Sequence, residues 1–385
     1  MPGEWPLDAR LGVVGGGQLG RMLGEAATPL GIELVVLDPT PEAPASVVAR
    51  DQLVGDFDDA AALRDLAEHC DALTYEIELA DPDLLEDVSD ATGTPVHPSP
   101  STLRMIEDKL VQKETLADAG IPVPPCVAAD TPAAIADAGE RFGYPLMLKA
   151  RTGGYDGRGN VPVADASEID AAVAELDASI MAEAHVDFVR ELSVIGVRGD
   201  DERRTYVPGE NIHEEEILRE TIVPGRAPDS VLDRARAVAD DVLDLMEGRG
   251  VFGIELFETR DGDILVNEIA PRPHNSGHWT IEGAVTSQFE QHVRAVMGGP
   301  LGTTSHHGSV VTANILGDVP TPTSATLRGT RPLLAEGDIH LHWYGKREVR
   351  PLRKMGHIAI VDTPGNQDAL LTRARDVVEE LTFRA

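Results

Sequence analysis

The order of elements in the first 75 residues most constrains what this chain can fold into. Residues 11–14 read as a short apolar strand, Gly15-Gly16-Gly17 follows at once, and residues 18–30 read as a helix. Residues 33–37 form a second strand ending at Asp38, 58–69 a second helix, and 72–75 a third strand. This alternation predicts an open parallel sheet with helices on both faces. A further helix at about 101–119 closes the unit, and Gly120-Ile121-Pro122-Val123-Pro124-Pro125 marks a boundary.

Beyond it lies a compact segment: a helix at 132–142, a strand at 145–150, a glycine-rich loop, a second strand, a helix at 167–176 and a strand into Glu183. It is small enough to be a mobile lid. From Glu191 the pattern turns β-rich (192–197, 205–208, 251–257, 263–269), interrupted by a long helix at 229–246. Another helix follows at 286–297, then a mixed β segment with a final helix. The expected fold class is α/β and α+β. Its expected units are an N-terminal doubly wound parallel-sheet domain (1–119), a small lid domain (120–186) and a C-terminal mixed β domain (187–385), whose β-rich end begins near 305.

Charge narrows the partners. With 33 basic and 66 acidic residues, formally −33, the chain would be repelled by nucleic acid and by anionic membranes. The acidic residues are spread along helical faces and lysines are few, as a high-salt cytoplasm would favour, so a halophilic source is expected. Full stability in dilute buffer would count against it. No apolar run is long enough to span a bilayer, and the first ten residues lack the apolar core of a signal peptide. Cys70 and Cys126 show neither close pairing nor zinc-type spacing, which fits a reducing, cytoplasmic compartment. Basic clusters in so acidic a chain therefore have a specific anion to hold.

Several segments carry chemistry. Gly15, Gly17 and Gly20, with Asp38 ending the next strand, match the dinucleotide fingerprint, in which a pyrophosphate approaches a helix N-terminus. The same turn serves any unit that binds a phosphorylated ligand or packs a helix closely, so a nicotinamide oxidoreductase stays an open reading. Residues 149–160, Lys-Ala-Arg-Thr-Gly-Gly-Tyr-Asp-Gly-Arg-Gly-Asn, offer backbone N–H groups to phosphate oxygens, with Lys149 and Arg158 adding charge. Glu255 lies in an apolar strand and Glu268 ends the next, with Asn267 beside it. As antiparallel neighbours the two acids would converge on Mg²⁺ and leave positions for phosphate and water. The loop that follows carries Arg272, His274 and His278, suited to anions. His340 and His342 share a strand face without a third zinc ligand at suitable spacing, so packing or substrate hydrogen bonding is expected. Lys346, Arg350 and Arg353 read as a phosphate clamp, Glu214-Glu215-Glu216 as a solvated face, and His213 as within reach of a phosphate.

Together these segments resemble the ATP-grasp superfamily and, within it, the N5-carboxyaminoimidazole ribonucleotide synthetase family of purine biosynthesis. The resemblance rests on Gly-Gln-Leu-Gly-Arg-Met-Leu (17–23), Arg-Thr-Gly-Gly-Tyr-Asp-Gly-Arg-Gly (151–159), His-Asn-Ser-Gly-His-Trp (274–279) and His-Leu-His-Trp-Tyr (340–344). It implies an ATP-grasp fold, ATP and Mg²⁺ as cofactors, small-molecule substrates and a homodimer. It also implies that Lys109 and Lys149 contact ATP phosphates while Gly154, Tyr155, Asp156, Gly157, Arg158, Gly159 and Asn160 close over them. Glu183, Ala184, His185 and Val186 would meet adenine at the hinge through backbone groups, Glu191 would hold the ribose, and His213 and Asn267 would lie near the nucleotide. Glu255 and Glu268 would ligate Mg²⁺. Tyr155, Asp156, Arg158, Arg272, His274, Asn275 and Ser276 would face the aminoimidazole and activated bicarbonate, with Asp156 accepting the amine proton. Gln18, Leu19 and Glu76 would help form the ribotide site, and Lys346 and Arg353 would clamp its 5′-phosphate. The chain departs from the family pattern at Ile77, where Phe is usual, at Asn160, where Gln is common, and in lacking Gln after Glu183. The implied reaction joins ATP, bicarbonate and 5-aminoimidazole ribonucleotide through carboxyphosphate. Another ATP-grasp carboxylate–amine ligase is the nearest rival.

Overall fold

The computed structural model describes residues 4–153, 159–176 and 178–384. The opening alternation folds into a four-stranded parallel sheet, ordered Asp51–Leu53, Glu33–Leu37, Arg10–Val14, Ala72–Tyr75. Leu11, Val13, Leu34 and Val36 point to one face with helix Gln18–Ala27; Val14, Val35 and Leu37 point to the other with helix Ala60–His69. Period-two alternation in buried strands thus covers both faces. Phe289, Val293 and Val296 of helix Gln288–Val296, distant in sequence, join the first face and dock the later part of the chain there.

The expected helix at 101–119 is two helices. Pro100–Glu107 ends at Asp108, whose carboxylate then accepts from the Leu110 and Val111 N–H groups and caps Lys109–Asp118. A capping aspartate inside an apolar periodicity starts a new helix and re-aims the chain. The 120–125 stretch is tied down rather than loose, since Val266 N–H donates to Pro122 O.

Cys126–Ala128, Ile180–Ala184, Leu146–Ala150 and Asn160–Val163 form a second four-stranded sheet, antiparallel throughout. A nine-stranded sheet follows, centred on Phe188–Arg198 and Gly250–Thr259. Its hairpin Gly209–Glu214 and Ile217–Val223 was not expected from sequence; Glu215 and Glu216 form its turn with positive φ. Helix Asp229–Leu245 covers one face of this sheet, with Leu192, Val194, Phe252, Ile254 and Leu256 in the core between them. On the sheet's other face Ile195, Val197 and Val251 enter a further core with Tyr206 and Trp279, while Glu191, Glu255 and Phe257 line a cleft beneath the second sheet. Among the described residues no helix is long and apolar enough to cross a membrane.

Candidate functional site

The floor of the cleft is the strand pair Gly250–Thr259 and Ile264–Ala270, where Glu255 lies directly opposite Glu268. The ladder then shifts: Leu256 faces Val266, leaving Asn267 as an extra residue in a β-bulge. Regular alternation would send Asn267 and Glu268 to opposite faces. The bulge instead keeps Ile264, Val266 and Ile269 in the core while both polar neighbours face the cleft. There Asn267 Oδ1 accepts from Lys149 Nζ at 3.1 Å, and Glu268 Oε2 lies 2.8 Å from Lys109 Nζ.

Lys149 also reaches Glu183 Oε1 at 2.7 Å, and Lys113 lies 2.9 Å from the other oxygen of Glu183. Lys113 is fully buried, donates to Val266 O, and burial pushes its pKa down to about 8. Burial opposes charge on Glu183, but the two ammoniums outweigh it and hold its carboxyl below the ordinary range. A residue from each of three segments is thereby locked around Lys149.

Farther along the cleft, Glu191 and His213 on adjacent strands form an ion pair through His213 Nδ1. Burial opposes a proton on His213, but Glu191 and Glu255 outweigh it and raise its pKa. Desolvation pushes Glu255 up to about 6, with Glu268 and Glu191 adding to it against His213. For Glu268, desolvation is outweighed by Lys109, which holds its carboxyl well down. Glu191, Asn211, His213, Glu255, Phe257 and Asn267 line this part together.

The loop after the strand brings up the other groups. Arg272 Nη2 is 2.9 Å from Glu78 Oε1, a contact with the N-terminal unit. His274 Nε2 is 3.7 Å from Glu255 Oε1, and its Nδ1 lies 2.8 Å from Ser276 Oγ. Burial, then Arg272 and Lys354, push the His274 pKa down to about 3, so the ring is neutral near pH 7. Asn275 Nδ2 is buried with no hydrogen-bond partner among the described residues.

Several expected contacts take a different form. Glu76 is 5% exposed, and its carboxylate accepts from the Gly17 N–H and, at 2.7 Å, from the Gly20 N–H. Asp38 Oδ2 accepts from the Gly16 N–H at 2.9 Å. The turn that would cradle a pyrophosphate is therefore filled by two of the chain's own carboxylates, and the nicotinamide reading loses its site. Burial pushes Glu76 up to about 7, against the two N–H donors. Leu19 packs its side chain into the core, so a substrate could meet only its backbone; Gln18 beside it is half-buried. Ser276 is fully buried and committed to His274, which makes it a support rather than a contact.

Ala184 N–H donates to Pro125 O, His185 is exposed and Val186 half-buried. Gly159 has φ +89° and its carbonyl accepts from Ala150, while Asn160 stands opposite Lys149. Lys346 Nζ donates to Lys354 O at 2.6 Å, and Arg353 donates to Glu348 O at 2.8 Å. Arg21 of the first helix closes on the same loop, since a Cβ at Gly345 would fall 2.6 Å from its guanidinium. Gly154, Tyr155, Asp156, Gly157 and Arg158 lie outside the described residues. Among the described residues no group of three or more His, Cys, Asp or Glu is arranged to hold a metal.

Sequence reading overlooked Lys113 and Gln288, and noted the carboxylate of Glu78 without giving it a role. Lys113 was findable, because it stands one helical turn after Lys109 and so shares its face. His342 finds its partners in space: Glu282 Oε1 at 2.6 Å and the ring of His357, itself stacked on His278.

Comparisons with known proteins cover nearly all of the chain. Residues 9–107 match the ribonucleotide synthetase preATP-grasp domain, 114–289 the ATP-grasp domain, and 311–369 the phosphoribosylaminoimidazole carboxylase C-terminal domain. The chain is 42% identical to the phosphoribosylaminoimidazole carboxylase of Ogataea methanolica over 91% of its own length, spanning 66% of that protein. It is also similar to the N5-carboxyaminoimidazole ribonucleotide synthetase of Thermotoga maritima (39% identity, TM-score 0.88, 97% of this chain and 99% of that one). The synthase of Aspergillus clavatus, solved with ADP and 5-aminoimidazole ribonucleotide, gives 36% identity and a TM-score of 0.88, over 97% of this chain and 99% of that one. The chain belongs to the ATP-grasp superfamily and, within it, to the N5-carboxyaminoimidazole ribonucleotide synthetase family.

Proposed function

We propose that this chain uses ATP to carboxylate 5-aminoimidazole ribonucleotide with bicarbonate, giving N5-carboxyaminoimidazole ribonucleotide, ADP and phosphate. The observation that carries the reading is the cross-strand pair Glu255 and Glu268 with bulged Asn267, facing Lys149 and the Glu191–His213 pair. The donor set fits a hard divalent cation. It offers two carboxylates and an amide oxygen, and Glu255 holds its negative charge at some cost, first because it is buried and then because Glu268 and Glu191 stand nearby. Glu255, Glu268 and Asn267 would hold Mg²⁺, which when bound would neutralise phosphate charge during phosphoryl transfer.

The chain's own groups do the rest. Lys149, fixed between Glu183 and Asn267, presents an ammonium to the phosphates without searching for its geometry. Glu191 holds the ribose hydroxyls, and the backbone at 183–186 meets the adenine. Bicarbonate is a poor electrophile, and phosphorylation gives it a good leaving group. Carboxyphosphate is quickly lost to water, so residues 154–160 close over it. Arg272, oriented by Glu78, and neutral His274, donating from Nε2, hold the activated carboxyl group. Asp156 accepts the amine proton, while Lys346 and Arg353 bind the 5′-phosphate.

The test is ADP release with the ribotide and bicarbonate omitted in turn, in high salt. Release that needs both supports the reading; release with another amine or acid, and none with the ribotide, overturns it in favour of another carboxylate–amine ligase. The same reading includes functional units 1–119, 120–186 and 187–385, a homodimer checked by sedimentation, and a cytoplasmic place in a halophile.

A further inference from the structure

Gln288 hydrogen-bonds both backbone groups of one residue of the candidate site, His274. Its Oε1 accepts from His274 N–H at 2.9 Å and its Nε2 donates to His274 O at 2.7 Å, as a neighbouring strand would. Gln288 is fully buried as the first residue of helix Gln288–Val296. Its own N–H donates to Thr280 Oγ1 at 2.9 Å, and that hydroxyl donates to Gly277 O at 2.6 Å. The fit is close, since a Cβ on Gly277 would lie 2.4 Å from Gln288 Oε1. A rigid helix end therefore fixes the backbone from which the His274 ring points at Glu255, across 3.7 Å.

We propose that Gln288 is a positioning residue, whose amide sets where His274 Nε2 stands and so keeps activated bicarbonate coupled to the ribotide. This rests on the function proposed above. The reason for an amide is chemical: it carries an acceptor oxygen and a donor nitrogen side by side in one plane, so each backbone group of His274 meets its own partner. A misplacement on the order of 1 Å at a reacting centre costs about 10²-fold in rate.

The test uses the full chain. Gln288→Met keeps the volume and removes both bonds. Gln288→Glu can replace both, but only while its carboxyl is protonated, so its activity relative to wild type should rise as the pH is lowered, while Gln288→Met shows no such rescue. Expected for Gln288→Met are a fall of about 10²-fold in ribotide carboxylation, ADP release running ahead of product, and an unchanged ATP Kd. In a His274→Ala background the same change should cost little more, because both act through one ring. Full additivity, or equal loss of ATP affinity and turnover, would overturn the proposal. One readout is independent of the reaction: long-range ¹⁵N spectra of the His274 ring should change in Gln288→Met and in Thr280→Val. An unchanged ring signal overturns the positioning role even if the chain proves to act on another substrate. Absence of ribotide-dependent ADP release in wild type alone would sink only the functional reading.

Discussion

Two regions of this molecule look equally ready for an anionic ligand in sequence, and they end differently. The Gly15–Gly20 turn has glycines, a helix N-terminus and an acid at the next strand end, yet Glu76 and Asp38 occupy its N–H groups. The cleft around Lys149 is also rich in internal pairs, but it retains groups whose demands the protein leaves unmet. Asn211 Nδ2 and Asn275 Nδ2 are buried there with no hydrogen-bond partner among the described residues. A motif shows which groups are present; only the fold shows which have already been used.

Four experiments would break or sharpen that contrast. The largest effect is expected on the cleft side: Glu268→Gln should lower Mg²⁺-dependent turnover by about 10²–10³-fold while the fold persists. Unchanged kcat with normal thermal unfolding would remove Glu268 from its role. Next, Lys113 and Lys149 share Glu183 but differ in reach. Lys113→Met should cost about 1–3 kcal/mol in urea unfolding, because one oxygen of the buried Glu183 carboxylate loses its partner while Lys149 still holds the other. Lys149→Met should show its main loss in nucleotide affinity, read by titration. Reversed outcomes would mean that Lys113, not Lys149, meets the phosphates.

The third experiment probes the joint between the regions, where His292 Nε2 bonds Thr74 Oγ1 at 2.7 Å and His97 meets Arg249 at 2.8 Å. Burial pushes His97 down to about 4 and His292 to about 3. Below the ordinary histidine pKa the unfolded chain therefore binds more protons than the folded one, so stability is lost as pH falls from about 6.5 toward 4. Replacing His292 by Gln should flatten that slope by about one proton's worth, measured as unfolding midpoint against pH. The smallest effect belongs to the filled turn. A Cβ on Gly17 would lie 2.5 Å from Glu76 Oε1, so Gly17→Ala should cost about 1–3 kcal/mol with ATP Kd unchanged. Wild type should give no NADH fluorescence enhancement.

Much of this was legible in the residues. The parallel sheet followed from strand–helix alternation, because strands buried on both faces need continuous apolar runs, as 33–37 supplies. The pairing of Glu255 with Glu268 followed from two consecutive strands joined by a short turn. What was not legible depends on three-dimensional closure. Nothing in Glu76 announces that it will fold back into the glycine turn, and nothing in Gln288 says that it will meet a residue 14 positions earlier. The break at Asp108 was hidden because the apolar periodicity continues across it while only the cap changes. Lys346, read as a phosphate ligand, also spends a donor on Lys354 O and lies 5.5 Å from the Tyr344 ring centre, contacts that become visible only when the terminal strands pair.

The irregular residue in the Ile264–Ala270 strand has a consequence for how such a centre can be altered. Deleting Asn267 would restore an even ladder, with Val266 and Ile269 still inward and Glu268 still outward. One oxygen and one of the two anchors of Lys149 would vanish, and nothing else would need to turn over. An amide oxygen added by a single inserted codon can be gained, lost or exchanged without renegotiating the architecture around it.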